Sequence, residues 1–462
     1  MSMSRYECYR SSGVDWLGEI PQHWRMSRVK FDSYVKARVG WHGLKSDEFT
    51  DEGPYLVTGS DFRGKVIHWE NCYHCTAERY EQDKYIQLKE DDLLVTKDGT
   101  IGKLVLVKDL PGEATLNSGI FVVRPLQNRY STDYYYWLLQ SSVFHDFIEI
   151  HRTGSTILHL YQETFENLPY GLPELKEQAQ IARFLDYETA RIDALIEEQQ
   201  HLIELLKEKR QAVISRAVTK GLDPDVPMKD SGVEWLGEVP AHWDVVPFRY
   251  AIDYQEGPGI MAVDFLDEGI PLLRISGVQG RWATLNGCNY LDPEKVEAKW
   301  QHFQLERGDL VISASASMGT VSEVNDEVAG AVPYTGLIRL TPKIGITTRA
   351  FIRAIVSSYQ FFAQIDLFKA GSTIQHFGPT HLSQMKVVLP PIEEQGRLAK
   401  YVDKQSGIFD GLLAEAIRNN LLLEERRAAL ISAAVTGKID VRNWQPPVDK
   451  DNKSAQQEAA HG

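Results

Sequence analysis

The chain has 462 residues, 43% of them hydrophobic, 25% charged and 10% aromatic, with a formal net charge of −14. That length exceeds what one hydrophobic core organises and predicts two or more domains. No apolar run is long enough to span a bilayer, and the opening MSMSRYECYRSSG lacks the apolar core of a secretory signal, so a cytoplasmic protein is expected. The acidic balance excludes a uniformly basic nucleic-acid binder, and any basic surface must be local.

In chain order, the first marked phrase is SGVDWLGEIPQHW at 12–24, with Trp16 and Trp24. Arg38, His42 and Lys45 follow in a polar stretch, then Arg63 and Lys65 in GSDFRGK. Cys72 and Cys75 form one CxxC near His68 and His74. Without a second CxxC to complete four ligands, reduced and partly buried thiols are the favoured reading over zinc. The apolar runs Leu93-Leu94-Val95 and Ile120-Phe121-Val122-Val123, punctuated by Gly, Asn and Asp, predict strands. Between them Thr96-Lys97-Asp98-Gly99-Thr100 predicts a loop. A helix is expected over Thr132–Phe147, a Gly-Ser-Thr turn at 154–156 preceded by Arg152, and an exit strand at Asn167-Leu168-Pro169-Tyr170. Pro173 then introduces a long helix over 174–219, with glutamates at its positive end and Gly221 as its stop.

All of this then happens again. SGVEWLGEVPAHW at 231–243 repeats the first phrase, GSTI at 371–374 repeats 154–157, LPPIEEQ at 389–395 answers LPELKEQ at 172–178, and ALISAAVT at 429–436 answers AVISRAVT at 212–219. The later pairs lie 217 residues apart, and a two-residue adjustment after Trp24 reconciles the first. The chain is a tandem duplication. A second helix is expected over Thr347–Phe362 and a second long helix over 392–436, stopped by Gly437. Both long helices carry an interrupted apolar stripe, Ile181 to Val213 and Leu398 to Ile431, read as a coiled-coil-like pair rather than as helices packed only on their own cores. At 1.5 Å per residue each is roughly 65 Å long, comparable with about 20 base pairs of DNA.

The duplicated GSTI, the LP-x-x-x-EQ lead into a long helix and the S-G-V-x-W-L-G-x-x-P-x-H-W phrase closely resemble the specificity subunit of Type I restriction-modification systems, from about Ser11 to Arg442. The resemblance implies an α+β, pseudo-two-fold chain. Two target-recognition domains, at 1–170 and 223–388, would be separated by two antiparallel helical spacers at 171–222 and 389–442, with a disordered tail at 443–462. It implies a non-catalytic chain that reads a bipartite, asymmetric DNA site with one domain per half. Its partners would be two methylation subunits, whose cofactor is S-adenosylmethionine, and restriction subunits that use ATP and Mg. No cofactor or metal is expected in this chain. A protein scaffold on the same helix pair is the alternative, which the acidic charge suits.

The resemblance supplies no base-contacting residues, so candidates come from chemistry: basic, amide and hydroxyl side chains on loops. They are Arg63, Lys65, Thr96, Lys97 and Thr100 in the first copy, with Arg274, Arg281, Ser313, Ser315 and Ser317 in the second. The turns with Arg152, Ser155 and Thr156, and with Lys369, Ser372 and Thr373, are candidate phosphate contacts. Each reads equally as a plain surface turn or strand edge. The four tryptophans are assigned to packing, because domains that read different sequences would not share a base-stacking residue. NLPY approaches the N-P-P-Y of adenine methyltransferases, but its second position is Leu and no glycine-rich cofactor loop accompanies it.

Overall fold

The computed structural model describes residues 4–38, 43–151, 159–314, 321–369 and 377–447, except the side chains of 368 and 369. It divides into two compact units, residues 1–198 with 419–462, and residues 199–418. The division falls inside the long helices, so each unit takes one part of each.

In the first unit, strands β1 (Arg25–Arg28), β2 (Ser33–Ala37), β3 (Thr50–Val57), β4 (Tyr73–His74), β5 (Leu93–Thr96), β6 (Leu104–Leu106), β7 (Ala114–Leu116) and β8 (Ile120–Pro125) precede helices α1 (Thr132–Leu139) and α2 (Ser142–Ile150). Strand β9 (Pro169–Leu172) then leads into α3 (Leu175–Lys220). The central sheet has the order β2-β8-β5-β6, a three-stranded sheet the order β4-β3-β7, and β9 pairs with β1. Leu93 and Val95 of β5 face one core and Leu94 the other, which is why these strands are written as unbroken apolar runs.

The second unit repeats the plan. Its strands are β10 (Asp244–Pro247), β11 (Ile252–Glu256), β12 (Ile270–Leu273), β13 (Asn289–Leu291), β14 (Leu310–Ser313), β15 (Val321–Glu323), β16 (Val332–Pro333) and β17 (Leu337–Pro342). Helices α4 (Arg349–Val356) and α5 (Tyr359–Lys369), strand β18 (Lys386–Leu389) and helix α6 (Ile392–Val435) complete it. The sheet orders are β11-β17-β14-β15 and β13-β12-β16, with β10 on β18. The single helix expected after each sheet is two. Ser141 and Ser358 each close one helix through a hydroxyl bond to the carbonyl three residues back. Each then accepts from a backbone N–H of the next.

Within the first unit α3 and the last part of α6 run antiparallel: Gln180 reaches Val441 and Trp444, and Asp193 takes both arms of Arg427. Within the second, Arg210 of α3 pairs with Asp410 of α6 at 3.0 Å.

The duplicated phrases meet in space, which explains why each is kept. The Trp24 indole N–H donates to Glu177 at 3.0 Å, and that of Trp243 to Glu394 at 2.9 Å; both carboxylates lie in the first turn or so of a long helix. His23 and His242 meet the same carboxylates at 2.8 and 3.0 Å. The neighbouring Gln178 and Gln395 are fully buried and accept from the backbone N–H of Ser131 and Thr348, tying helix start to sheet exit. Opposite each indole lies a helix stop in left-handed conformation, Gly437 (φ 73°) beside Trp24 and Gly221 (φ 80°) beside Trp243. A Cβ on Gly437 would sit 2.4 Å from Pro21, so no other residue fits there unchanged.

One polar cluster belongs to the first unit alone. Asp32 is fully buried and accepts from Arg25, Ser27, Tyr170 and Arg129. Burial by itself would raise its pKa, but the bonds from Ser27, Arg25 and Tyr170 prevail and hold it below the ordinary carboxylate value. The corresponding residue of the second unit is Ala251, also buried.

Two outcomes follow. Glu177→Ala strands two buried donors, Trp24 Nε1 and Tyr6 Oη at 2.6 Å, along with the exposed His23, and costs about 2–4 kcal/mol, whereas Glu394→Ala, which strands two at a more exposed site, costs about half that. Thermal unfolding of the two variants should rank them in that order. The depressed pKa of Asp32 means its stabilisation is present above the unfolded value, near pH 4, and disappears as pH falls through the lower folded value. Asp32→Asn should therefore lower the first unit's melting point at pH 7 and flatten its acid dependence below pH 4, read by calorimetry at both pH values.

Candidate nucleic-acid interface

At one edge of each unit the strand ends of both sheets converge. In the first unit Lys97 N–H donates to Gly119 at 2.8 Å, Asn117 N–H to Val57 at 2.9 Å and Leu160 N–H to Lys97 at 2.9 Å. The edge therefore gathers the exits of β2, β3, β5 and β7 and the entry of β8. Asn117 further clamps Leu44 through both halves of its amide, at 2.9 and 3.0 Å. Asp98 bonds His159 and packs against Gly119, whose positive φ of 87° leaves room for it. In the second unit Ala314 N–H donates to Gly336 at 2.9 Å, Tyr334 N–H to Leu273 at 3.0 Å and Phe377 N–H to Ala314 at 3.1 Å, the same three links at the same positions.

The backbone of this edge is shared and its side chains are not. Lys97 corresponds to Ala314, Asn117 to Tyr334, Thr58 to Arg274, and Arg38 to Gly257. Arg38 is buried and donates to the Leu116 carbonyl and Thr115 Oγ1, burial pushing its pKa down; it props the edge from within and is no part of an open polar stretch. At Gly257 the second unit closes instead, since a Cβ would lie 2.1 Å from the Pro333 oxygen. Arg274 lies 4.1 Å from the Tyr334 ring centre and 5.5 Å from that of Phe265, half-exposed, and donates to Asn289 Oδ1 at 3.4 Å.

The remaining candidates fall into separate places. Thr100 and Arg63 are exposed, the Arg63 side chain bonding the Ser60 carbonyl at 3.2 Å. Thr96 and Ser313 are buried at the ends of β5 and β14; Thr96 holds the hairpin by bonding the Thr100 carbonyl at 2.6 Å and accepting from Lys103 N–H, so it shapes the loop and does not face solvent. Lys97 is only 11% exposed at its side chain, lying over the Phe121 ring and 3.5 Å from Asp98. Lys65 and Arg281 prove to be equivalent, each carbonyl accepting from the same rung of β6 or β15, and each cation turns to a carboxylate of a long helix, Asp186 or Asp403. That pairing makes them part of the shared frame. Arg152, Ser155, Thr156, Ser315, Ser317, Ser372, Thr373, His42 and the side chain of Lys369 lie outside the described residues. Lys45 is exposed beside Glu48.

Composition-based reading missed Asn117, Tyr334, His159 and Tyr161, the last 63% exposed beside the edge. A signal existed: Asn117 and Tyr334 stand 217 residues apart, next to the shared glycines, and differ in chemistry. The tryptophans are packing residues as expected, Trp24 and Trp243 being 1% and 0% exposed. Cys72 and Cys75 are buried, the Cys72 thiol pushed up to about 12 by burial. The last two residues of NLPY, Pro169 and Tyr170, open the exit strand β9, which pairs with β1, while Asn167 caps the short helix before it. No described helix is long and apolar enough to cross a membrane.

A family model described as the Type I restriction modification DNA specificity domain matches residues 44–205 and 280–420. The MjaVIII type I restriction enzyme specificity subunit of Methanocaldococcus jannaschii is 24% identical over 438 residues, covering 92% of this chain and 95% of that one. The EcoBI specificity subunit of Escherichia coli is 23% identical over 414 residues, covering 86% and 82%. Among solved structures, a chain from work on complex assembly and conformational transition of the type I R-M system matches with a TM-score of 0.69 at 16% identity, covering 91% of this chain and 99% of that one, a likeness of fold. The chain therefore belongs to the Type I restriction-modification DNA-specificity family, whose members in these comparisons are specificity subunits and not catalytic ones.

Proposed function

We propose that the two units read the two halves of a split, asymmetric DNA sequence, the recognition domains being 1–170 and 223–388, and that two methylation subunits dock on surfaces the units share. The observation that carries this reading is the contrast at the strand-end edges: one backbone arrangement built twice, bearing different side chains. A symmetric pair of partners acting on an asymmetric site needs that combination.

The exposed Arg63 and Thr100 in the first unit and the half-exposed Arg274 in the second are assigned to direct contact, together with the turns at Arg152–Thr156, Ser315–Ser317 and Lys369–Thr373 on sequence grounds. For docking, the units present equivalent exposed leucines on the long helices. Leu195 and Leu422 in the first correspond, 217 residues apart, to Leu412 and Leu205 in the second, and all four are 43–51% exposed. Restriction subunits would join the assembly so formed. The chain's acidity is consistent with partners supplying much of the basic DNA-facing surface, so the chain alone should bind DNA weakly and the assembly tightly and with strong salt dependence.

Methylome sequencing of a host expressing this chain with its methylation subunit tests the reading. A split adenine-methylated motif that disappears on deletion of this chain is expected, and unchanged methylation by an active partner would leave a protein scaffold as the better account. Arg274→Ala should weaken binding by the assembly by about 1–3 kcal/mol and relax only one half of the motif. Lys65→Ala, removing a frame cation, should leave the motif unchanged. Binding measured against a panel of single-base variants separates the two.

A further inference from the structure

Each unit contains an open cleft between its recognition domain and its helix pair. The first, about 490 Å³, is floored by Tyr136 and Trp137 of α1 and walled by α3 at Asp186 and Asp193 and by Arg427 of α6. The second, about 520 Å³, has α4 as its floor, with α6 supplying Asp403 and Asp410 and α3 supplying Arg210. These walls correspond residue for residue: Asp186 to Asp403, Asp193 to Asp410 and Arg427 to Arg210, each 217 apart, with Lys65 and Arg281 at the mouths. Whereas the strand-end edges have diverged, these wall charges are kept at half-exposed positions, which core packing does not require; the floors differ, Tyr136 and Trp137 standing where Arg353 and Ala354 stand in the second unit.

The charges within are unevenly met. In the first cleft Asp193 is taken by Arg427, and Asp186 by Lys65 and the Trp137 indole; Lys65 is also 3.8 Å from Asp133. That leaves Lys103, exposed and without an ion pair among the described residues. In the second, Arg353 joins Asp403 to Glu323, Arg210 takes Asp410, and Arg281, 51% exposed, lies over the Trp282 ring with Asp403 at 3.7 Å as its one ion-pair partner among the described residues. Each cleft lining thus carries three cations against two carboxylates, Lys65, Lys103 and Arg427 in the first and Arg210, Arg281 and Arg353 in the second, an excess of one positive charge in both.

We infer that the two clefts are equivalent seats for one acidic segment of a protein taken up twice, a segment whose carboxylate meets Lys103 in the first unit and Arg281 in the second. The inference rests on the docking reading above and names its seat: the partner is the methylation subunit, the only kind of component that reading places on both units in the same way.

The test uses the full chain with the co-expressed methylation subunit, followed by native mass spectrometry. Wild type is expected to take up two subunits. Ala190→Trp, filling the first cleft from an exposed helix position, should reduce this to one; Ser406→Trp should do the same in the second, and the double variant should take up none. Each single variant reports its own folding, because the untouched cleft still binds. Lys103→Glu and Arg281→Glu should each weaken one docking event at least tenfold. Tryptophan variants that still take up two subunits at unchanged affinity would overturn the seat. Charge reversals without effect would overturn the acidic occupant, and loss of DNA affinity with both subunits retained would reassign the clefts to DNA. If wild type takes up no subunit, the docking reading itself falls, a result distinguishable from failure of the clefts alone.

Discussion

The hydrogen bond from a buried indole to the glutamate at a helix start, made by Trp24 to Glu177 and by Trp243 to Glu394, is the contact through which the rest of each unit is arranged. It fixes the strand pair β1–β9 or β10–β18 against the first turn of a 44- to 46-residue helix, while the six-membered ring of the indole lies beside the glycine that ends the other helix. An indole offers a large apolar surface with a single donor, so one residue can both fill the space against Gly437 or Gly221 and find the carboxylate. Replacement by phenylalanine would keep the first role and lose the second. The neighbouring glutamine extends the same junction to the sheet exit, so the EQ pair and the HW pair are two halves of one joint.

Because that joint is made twice, everything hung on it is free to differ. The edge formed by the strand ends keeps its backbone links, since these are set by ladder register and by Gly119 and Gly336 with positive φ. Side chains on it carry no such burden. Asn117 can clamp a loop where Tyr334 supports an arginine, and Arg38 can prop an edge that Gly257 closes, without disturbing the sheet beneath. On the proposed reading this would separate affinity for a common partner from the choice of DNA sequence, and an acidic chain would confine its DNA-directed chemistry to small areas.

Much of the fold was legible because duplication acts as an internal alignment. The long helices were placed to within a residue or so at each end, since Pro173, Gly221 and Gly437 are local signals whose physics does not depend on tertiary context. Strands β5 and β8 were visible as apolar runs. The breaks at Ser141 and Ser358 were not, because a serine inside an apolar helical pattern announces a cap only when its hydroxyl is seen to bond the backbone. The interface was legible only as a neighbourhood: the hairpin at 96–100 lies on the edge, yet composition could not distinguish exposed Thr100 from buried Thr96, or reveal that Lys65 and Arg281 spend their charge on Asp186 and Asp403. The first distinction depends on how the hairpin closes on itself, the second on partners more than a hundred residues away.

The most direct test of the account is a graft. Residues 223–388 would be replaced by the recognition domain of a relative with a different target, leaving the Trp–Glu joints intact, and adenine methylation would be mapped genome-wide. The account predicts a split motif with one half unchanged, the other half exchanged and the spacing preserved. A motif changed in both halves, or in neither while methylation persists, would contradict the assignment of one half-site to each unit.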